Sequence, residues 1–344
     1  MPYIISASEK TRKSASETET KALLYLMNFD ENSSQIHYFI IDVINDLSGH
    51  SVDMINSWDV QSKGNKSPSP KTIGKEIVTL FKNFMSEFNF MKSILFLGGV
   101  SSTFRIDESI NIFGIENVKS SSKAKMIEGL KEEASEKEYI EKEWITDENI
   151  NNFLDQLTFV IDDKGKTEYV RGIIRLKTSV VVNDEILISV FNSIRDVQSA
   201  KKNNMNVEGK SLNSPTDILR FKRHMTSDEI RIMALNRIVN TNIMDKGMPI
   251  CLNEVIGHLS KNDLKDVVEA CKLNISKALF DKNNSDNFWE LFGEIYTLIT
   301  DNPQGTIEEI FILINKNKVN CVHHLDEMAI KYLVALIMEV IIWL

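Results

Sequence analysis

The sequence predicts an α/β N-terminal domain with a mixed sheet, followed by a mainly α-helical C-terminal domain. In the first hundred residues, β-branched and aromatic runs alternate with segments whose apolar residues recur at helical spacing. From Ser227 onward the apolar spacing is helical throughout. A length of 344 residues is enough for about two domains. The predicted boundary falls at residue 118, which gives domains at 1–118 and 119–344.

Five elements are predicted in the N-terminal part, in the order helix, strand, strand, helix, strand. Residues 14–29 predict a helix, because Ser or Thr can cap it and Glu lies in its first turn. Residues 36–44 and 57–63 predict strands, separated by the turn-forming stretch "NDLSGHS". After the Pro-rich loop "GNKSPSP", an apolar stripe within 71–88 predicts the second helix. The apolar run "KSILFLGGV" at 92–100, closed by glycines, predicts a buried strand.

Composition limits the possible functions. The formal net charge of −9 argues against a protein coated in nucleic acid. The stretch from Gln61 to Lys92 is nevertheless basic, with six lysines against two glutamates, and it is either a DNA-contacting track or a solvated surface.

Three scattered cysteines predict no disulfide framework and no zinc site, which fits the cytoplasm. The apolar run at 332–344 has 13 residues, too few to span a bilayer, so we expect no membrane association.

Asp46, Gln61 and Lys63 are the candidate catalytic residues. Side chains at alternate positions of a strand share one face, so Asp59, Gln61 and Lys63 point the same way. A carboxylate before the strand and an amide oxygen on it are ligands that Mg²⁺ or Mn²⁺ accepts, which makes Asp46 and Gln61 the candidate metal ligands. The Lys63 ammonium can then orient the nucleophilic water or stabilise charge that develops on a phosphate.

The metal ligands are not fixed by the sequence. Asp42 and Asp53 compete with Asp46, because the register of the hairpin decides which aspartate lies beside Gln61. Asp59 is a further candidate ligand. Taken alone, the Asp-x-Gln-x-Lys pattern also describes the solvated face of an amphipathic strand.

A family resemblance is carried by these residues. The dipeptide "ND", followed at fifteen residues by "QSK" in the order of elements above, resembles the PD-(D/E)xK nuclease superfamily in its QxK variant. The string "WDVQSKG…SPKTIGKEIVTLFKNF…ILFL" resembles more closely the double-stranded-DNA endonuclease domain of bacterial anti-phage effectors, those of CBASS and Lamassu systems. The resemblance covers residues 14–105 and lacks the "PD" dipeptide.

The resemblance implies a restriction-endonuclease-like fold and a role for each candidate residue. Asp46 corresponds to the metal aspartate, Gln61 to the second ligand and Lys63 to the catalytic lysine. Glu17 or Glu19, on the first helix, corresponds to the additional acid that some members supply. The implied activity is Mg²⁺- or Mn²⁺-dependent endonucleolytic cleavage of double-stranded DNA.

The resemblance also implies partners. It suggests the effector of a defence complex, held inactive by an SMC-like ATPase and an accessory subunit and forming a homo-oligomer when released. The apolar C-terminal helix suits such an interface or the core of its own domain, through Met338, Ile341, Ile342, Trp343 and Leu344. Two alternatives stay open: a non-catalytic scaffold with a degenerate nuclease fold, and a nuclease that acts on RNA.

Overall fold

The computed structural model describes residues 3–5, 16–174, 182–240, 242, 243, 245, 247–281 and 285–342. The chain divides into two compact units. The first unit comprises residues 1–165 and 194–227, and the second comprises residues 166–193 and 228–344. The predicted boundary at residue 118 does not coincide with this division.

The first unit is built on a mixed seven-stranded sheet. The strands are β1 (Tyr3–Ile4), β2 (Tyr38–Ile41), β3 (Leu47–His50), β4 (Ser57–Lys63), β5 (Lys92–Leu97), β6 (Ile112–Phe113), β7 (Leu157–Ile161), β8 (Ser211–Leu212) and β9 (His224–Thr226). Their order in the sheet is β6-β7-β5-β4-β3-β2-β9, and β1 pairs separately with β8. Strands β4, β5 and β7 run parallel, whereas β3 is antiparallel to both of its neighbours. The predicted mixed sheet is therefore confirmed.

Helices surround the sheet in the first unit and make up most of the second. They are α1 (Glu17–Asn28), α2 (Pro70–Glu76), α3 (Val78–Met85), α4 (Ser120–Glu136), α5 (Asp147–Gln156), α6 (Lys166–Ile174), α7 (Asp184–Lys202), α8 (Ser227–Ile238), α9 (Asn253–Ile256), α10 (Lys261–Phe280), α11 (Ser285–Asp301), α12 (Ile307–Leu313), α13 (Lys316–Cys321) and α14 (Glu327–Ile342). Short 3₁₀ segments lie at Ser33–Gln35, Ile115–Asn117, Lys142–Trp144 and Pro215–Phe221.

The predicted elements that flank the candidate residues are present. Helix α1 and strands β2, β4 and β5 fall within their predicted ranges. The predicted helix at 71–88 is interrupted at Ile77 and forms α2 and α3. Ser69 caps α2 by accepting a hydrogen bond from the Thr72 backbone N–H at 3.1 Å, and Pro70 occupies its first turn.

Strand β3 replaces a predicted turn. Its residues "LSGH" have turn-forming character, yet all four are buried. The His50 ring bonds the Ser48 hydroxyl through Nε2 at 2.9 Å and the Ser57 hydroxyl through Nδ1 at 2.8 Å. A Cβ at Gly49 would lie 2.7 Å from the Leu26 side chain, so this position lets α1 pack closely. The strand is stabilised by these tertiary contacts rather than by propensity.

The sheet and its helices extend beyond residue 118. Strand β7 lies between β5 and β6, and β9 forms the edge next to β2. Helix α4 crosses α2 so closely that a Cβ at Gly74 would lie 2.0 Å from the Met126 carbonyl oxygen. Residues 119–165, assigned by sequence to the helical domain, therefore complete the first unit.

The second unit is helical, as predicted for the C-terminal region. Helix α14 packs on α10, α11 and α12, and its side chains from Ala329 to Met338 are buried. Within the helices that the structure describes, none combines the length and apolar character needed to cross a membrane. Trp343 and Leu344, which the sequence predicts to lie in an interface or in the core of the domain, are outside the described residues.

Candidate metal centre and catalytic site

Asp46 lies beside Gln61, immediately before β3 begins. Leu47 pairs with Val60 across the β3–β4 ladder, so the residue before Leu47 comes next to Gln61. Gln61 Nε2 donates a hydrogen bond to Asp46 Oδ2 at 2.9 Å. The Ser62 backbone N–H and hydroxyl donate to the same oxygen at 2.9 Å and 3.1 Å. The structure therefore brings the two predicted metal ligands together.

These contacts leave one oxygen on each ligand for a cation. Asp46 Oδ1 and Gln61 Oε1 accept no hydrogen bond from any residue that the structure describes. A carboxylate oxygen and an amide oxygen are hard ligands, and Mg²⁺ typically retains several waters beside one or two carboxylates. Asp46 and Gln61 therefore fit a magnesium or manganese ion that retains several of its waters.

The site is poorer in carboxylates than a dedicated metal cage. Across the described residues, no three His, Cys, Asp or Glu side chains form a group that could hold a metal ion. Gln61 contributes a neutral amide where a second acid would bind a cation more strongly. We therefore expect weak metal binding.

Electrostatics link Asp46 to three other charged side chains. Burial raises the pKa of Asp46 to about 6, against the opposing effects of the Lys63 cation and the Ser62 backbone N–H. The Glu19 carboxylate raises this pKa further, and the Lys202 ammonium lowers it. Two carboxylates and two ammonium groups thus share one electrostatic environment.

Glu19 is an acid from α1 that belongs to this environment. Ser16 caps the helix by accepting a hydrogen bond from the Glu19 backbone N–H at 3.1 Å. The Glu19 side chain is only 13% exposed, and its Oε2 lies 3.3 Å from Lys202 Nζ. Glu17 is 48% exposed and lies 3.8 Å from Lys21 on the same helix.

The two competing aspartates have other contacts. Asp42 has φ of 53° and pairs with Arg223, whose guanidinium donates to its carbonyl at 2.7 Å and lies 3.3 Å from its carboxylate. Asp53 lies in the turn between β3 and β4 and accepts a hydrogen bond from the Ser51 hydroxyl at 2.5 Å. Neither of them is the carboxylate that accepts the glutamine amide.

Asp59 belongs to a buried polar network behind the site. It is fully buried, and its Oδ2 accepts a hydrogen bond from Asn83 Nδ2 at 2.7 Å. Asn83 in turn accepts a hydrogen bond from the Tyr3 hydroxyl at 2.6 Å. Burial raises the pKa of Asp59 to about 7, although the side chains of Asn83 and Asn45 lower it. A fully buried carboxyl in this network is poorly placed to share a hydrated cation.

Much of the basic stretch after β4 is neutralised by acidic neighbours. Lys82 is buried, and three other lysines form ion pairs. The pairs are Lys71–Glu128 at 2.8 Å, Lys71–Glu132 at 3.1 Å, Lys75–Glu132 at 3.0 Å and Lys92–Asp30 at 2.9 Å. These lysines contribute little positive field for a DNA track. The cations that act on Asp46 are instead Lys63 and Lys202.

A cavity of about 910 Å³ in the first unit is separate from these residues. Its lining includes Tyr3, Lys82, Phe88, Tyr139 and Trp144, and it includes none of the three candidate catalytic residues. The candidate site is thus defined by converging side chains and not by this cavity.

Two glycines after β5 hold the loop that follows Lys63. The Gly98 backbone N–H donates to the Lys63 carbonyl oxygen at 2.8 Å. A Cβ at Gly98 would lie 2.6 Å from the Gly64 carbonyl oxygen, and one at Gly99 would lie 2.4 Å from the Lys66 carbonyl oxygen. The glycines of "LFLGGV" therefore permit backbone-to-backbone packing at the end of β4.

We expect Gly99→Ala to lower the free energy of unfolding of the chain by about 1–3 kcal/mol, the usual cost of overpacking. The added methyl group would meet backbone, which cannot rotate away. Urea denaturation measures the effect. Gly247→Ala is the control, since a Cβ there meets nothing within 4 Å. Equal destabilisation of both variants would contradict the packing role of Gly99.

Sequence reasoning missed Ser62 and Lys202. Alternation assigned Ser62 to the opposite face of β4, but its backbone N–H lies in the plane of the sheet and reaches Asp46. Lys202 follows Glu19 by 183 residues and carries no motif. No signal in the sequence would have placed it here.

Comparison of this chain with protein-family models, with curated proteins and with solved structures finds no match. The likeness to the nuclease superfamily therefore depends on the residues quoted above, and the function has to be argued from the geometry of the site.

Proposed function

We propose that the first unit is a metal-dependent endonuclease that cuts double-stranded DNA. The observation that carries the proposal is the contact between Asp46 and Gln61, with Lys63 two residues further along the same strand. A solvated strand face would not require the aspartate to lie beside the glutamine.

Each residue has a distinct role in the proposal. Asp46 and Gln61 would hold a magnesium or manganese ion through their remaining oxygens. The ion would polarise the scissile phosphate and lower the pKa of a bound water. Lys63 is half-buried and acts on Asp46 electrostatically, so its ammonium can also stabilise negative charge that develops on the phosphate. Ser62 holds the Asp46 carboxylate in place through two hydrogen bonds.

The choice of DNA and of partners rests on the family resemblance. It supports an effector of an anti-phage complex that is kept inactive by an SMC-like ATPase and an accessory subunit and that self-associates when released. A neutral amide as second metal ligand supports regulation of this kind, because a weakly bound metal leaves activity sensitive to small changes in the site. The partner proposal is tested directly by identifying the proteins that the genes adjacent to the one for this chain encode.

We expect cleavage of plasmid and linear duplex DNA in Mg²⁺ or Mn²⁺, and none in EDTA. The physical reason is that the chain's own donors supply no Lewis acid for the phosphate. Supercoiled plasmid, linear duplex and single-stranded RNA should be incubated in parallel and resolved on gels. If only the RNA is cleaved, the substrate is RNA and not DNA. Cleavage that persists in EDTA would contradict the metal requirement.

A further inference from the structure

Lys202 brings a buried positive charge to the candidate metal site. It is the last residue of α7, and its side chain is only 5% exposed. Its Nζ lies 3.3 Å from Glu19 Oε2 and 3.4 Å from Glu19 Oε1. The same ammonium lowers the pKa of the Asp46 carboxyl. Lys202 therefore lies where it interacts with both acids of the site.

A buried hydrogen bond fixes the end of α7 against α1. The Thr20 hydroxyl donates to Gln198 Oε1 at 2.8 Å, and both side chains are fully buried. Gln198 lies one helical turn before Lys202, and Thr20 directly follows Glu19. The ion pair between Lys202 and Glu19 is consequently held by its neighbours and does not depend on a flexible surface side chain.

Charged side chains of both signs act on the candidate metal site. Asp46 and Glu19 contribute two potential negative charges, and Lys63 and Lys202 contribute two positive ones. A divalent cation that enters must be attracted to the acids while it is repelled by both ammonium groups. Because the Lys202 and Glu19 side chains are only 5% and 13% exposed, the repulsion from Lys202 is screened less than it would be on the surface.

We propose that Lys202 is an internal cation that competes with the divalent metal for the acids of this site and thereby sets a low metal affinity. The proposal rests on the proposed function, because it treats Asp46 and Glu19 as part of a metal centre. It assigns to Lys202 a positioning and tuning role, not contact with the reacting atoms. The ligand class is a hard divalent cation, Mg²⁺ or Mn²⁺.

The test is binding of Mn²⁺ to the full chain, measured by calorimetry and by electron paramagnetic resonance of free Mn²⁺. Lys202→Met removes the charge and keeps most of the aliphatic stem, so we expect about tenfold tighter binding. Lys202→Arg keeps the charge and should remain within about twofold of the unmodified chain. Lys201→Met is the matched control on the same helix and should also leave the affinity unchanged.

Two further variants, Lys202→Gln and Glu19→Gln, make the test decisive. Lys202→Gln also removes the charge but can still donate a hydrogen bond to Glu19, and it should bind Mn²⁺ more tightly even if Lys202→Met folds poorly. In a Glu19→Gln background the gain from Lys202→Met should fall to about threefold or less, because the acid for which the ammonium competes has gone. Circular dichroism and thermal melts establish that each variant is folded.

The outcomes separate this inference from the proposed function. If the unmodified chain binds Mn²⁺ and cuts DNA, but folded Lys202→Met and Lys202→Gln bind it equally or more weakly, only the competition by Lys202 is overturned. If the chain binds Mn²⁺ and the variants bind more tightly, yet no DNA or RNA is cut, the nuclease proposal fails and the role of Lys202 stands. If no variant binds Mn²⁺, both fail.

Discussion

Lys63→Ala is expected to reduce the rate of DNA cleavage by about 10²–10³-fold, the usual loss when one preorganised charge at a reacting centre is removed. Lys63 ends β4, two residues after Gln61, and its cation already acts on the Asp46 carboxylate. Alanine keeps the strand backbone and removes only the ammonium and its stem. The rate should be measured on supercoiled plasmid at saturating Mn²⁺, with a thermal melt to establish folding.

The matched control is Lys66→Ala, which removes an exposed lysine from the loop directly after β4. It changes the net charge equally and should lower the rate by less than about threefold, as expected for a screened surface charge. Loss of equal size in both variants would mean that Lys63 serves only to attract DNA. Plasmid cleavage that is unaffected by Lys63→Ala would remove the lysine from the mechanism. A chain with no cleavage in any form would favour the scaffold alternative.

The strand that carries the candidate residues could be predicted because its local pattern is strong. "SWDVQSK" is rich in strand-forming residues, and the period of two places Gln61 and Lys63 on one face without further information. The glycine and proline residues that follow β4 and the glycines that follow β5 also predicted where these strands end, because their effect on the backbone is local. Such signals act over a few residues, and the sequence contains them in full.

The choice of aspartate and the second cation could not be predicted, because both depend on tertiary contacts. Strand β3 has no strand propensity, and without it the register that places Asp46 beside Gln61 is undefined. Lys202 enters the site because Thr20 and Gln198 bond across 178 residues. The place of β7 in the sheet could not be predicted either, since this strand follows a long segment with helical spacing.

Acidification from pH 7 to pH 5 should reduce the stability contributed by His50 by about 2 kcal/mol. Burial lowers the pKa of His50 to about 3, since the ring has no exposure to water and is held neutral between Ser48 and Ser57. The unfolded chain binds a proton near pH 6.5, whereas the folded chain does not. The stability contributed by the neutral His50 ring is thus complete above pH 6.5 and is lost progressively as the pH falls toward 3.

The total stability of the chain does not isolate this effect, because Asp59 acts in the opposite direction. Burial raises the pKa of Asp59 to about 7, so its contribution is lost as the pH rises through 7.

The decisive quantity is the difference in free energy of unfolding between the unmodified chain and His50→Asn, obtained from urea titrations at pH 7 and pH 5. This difference should shrink by about 2 kcal/mol at the lower pH. His258→Asn, which keeps His50 and alters an exposed histidine, should follow the unmodified chain at both pH values. A difference that is constant with pH would mean that His50 is protonated in the folded protein, and the neutral network that stabilises β3 would have to be abandoned.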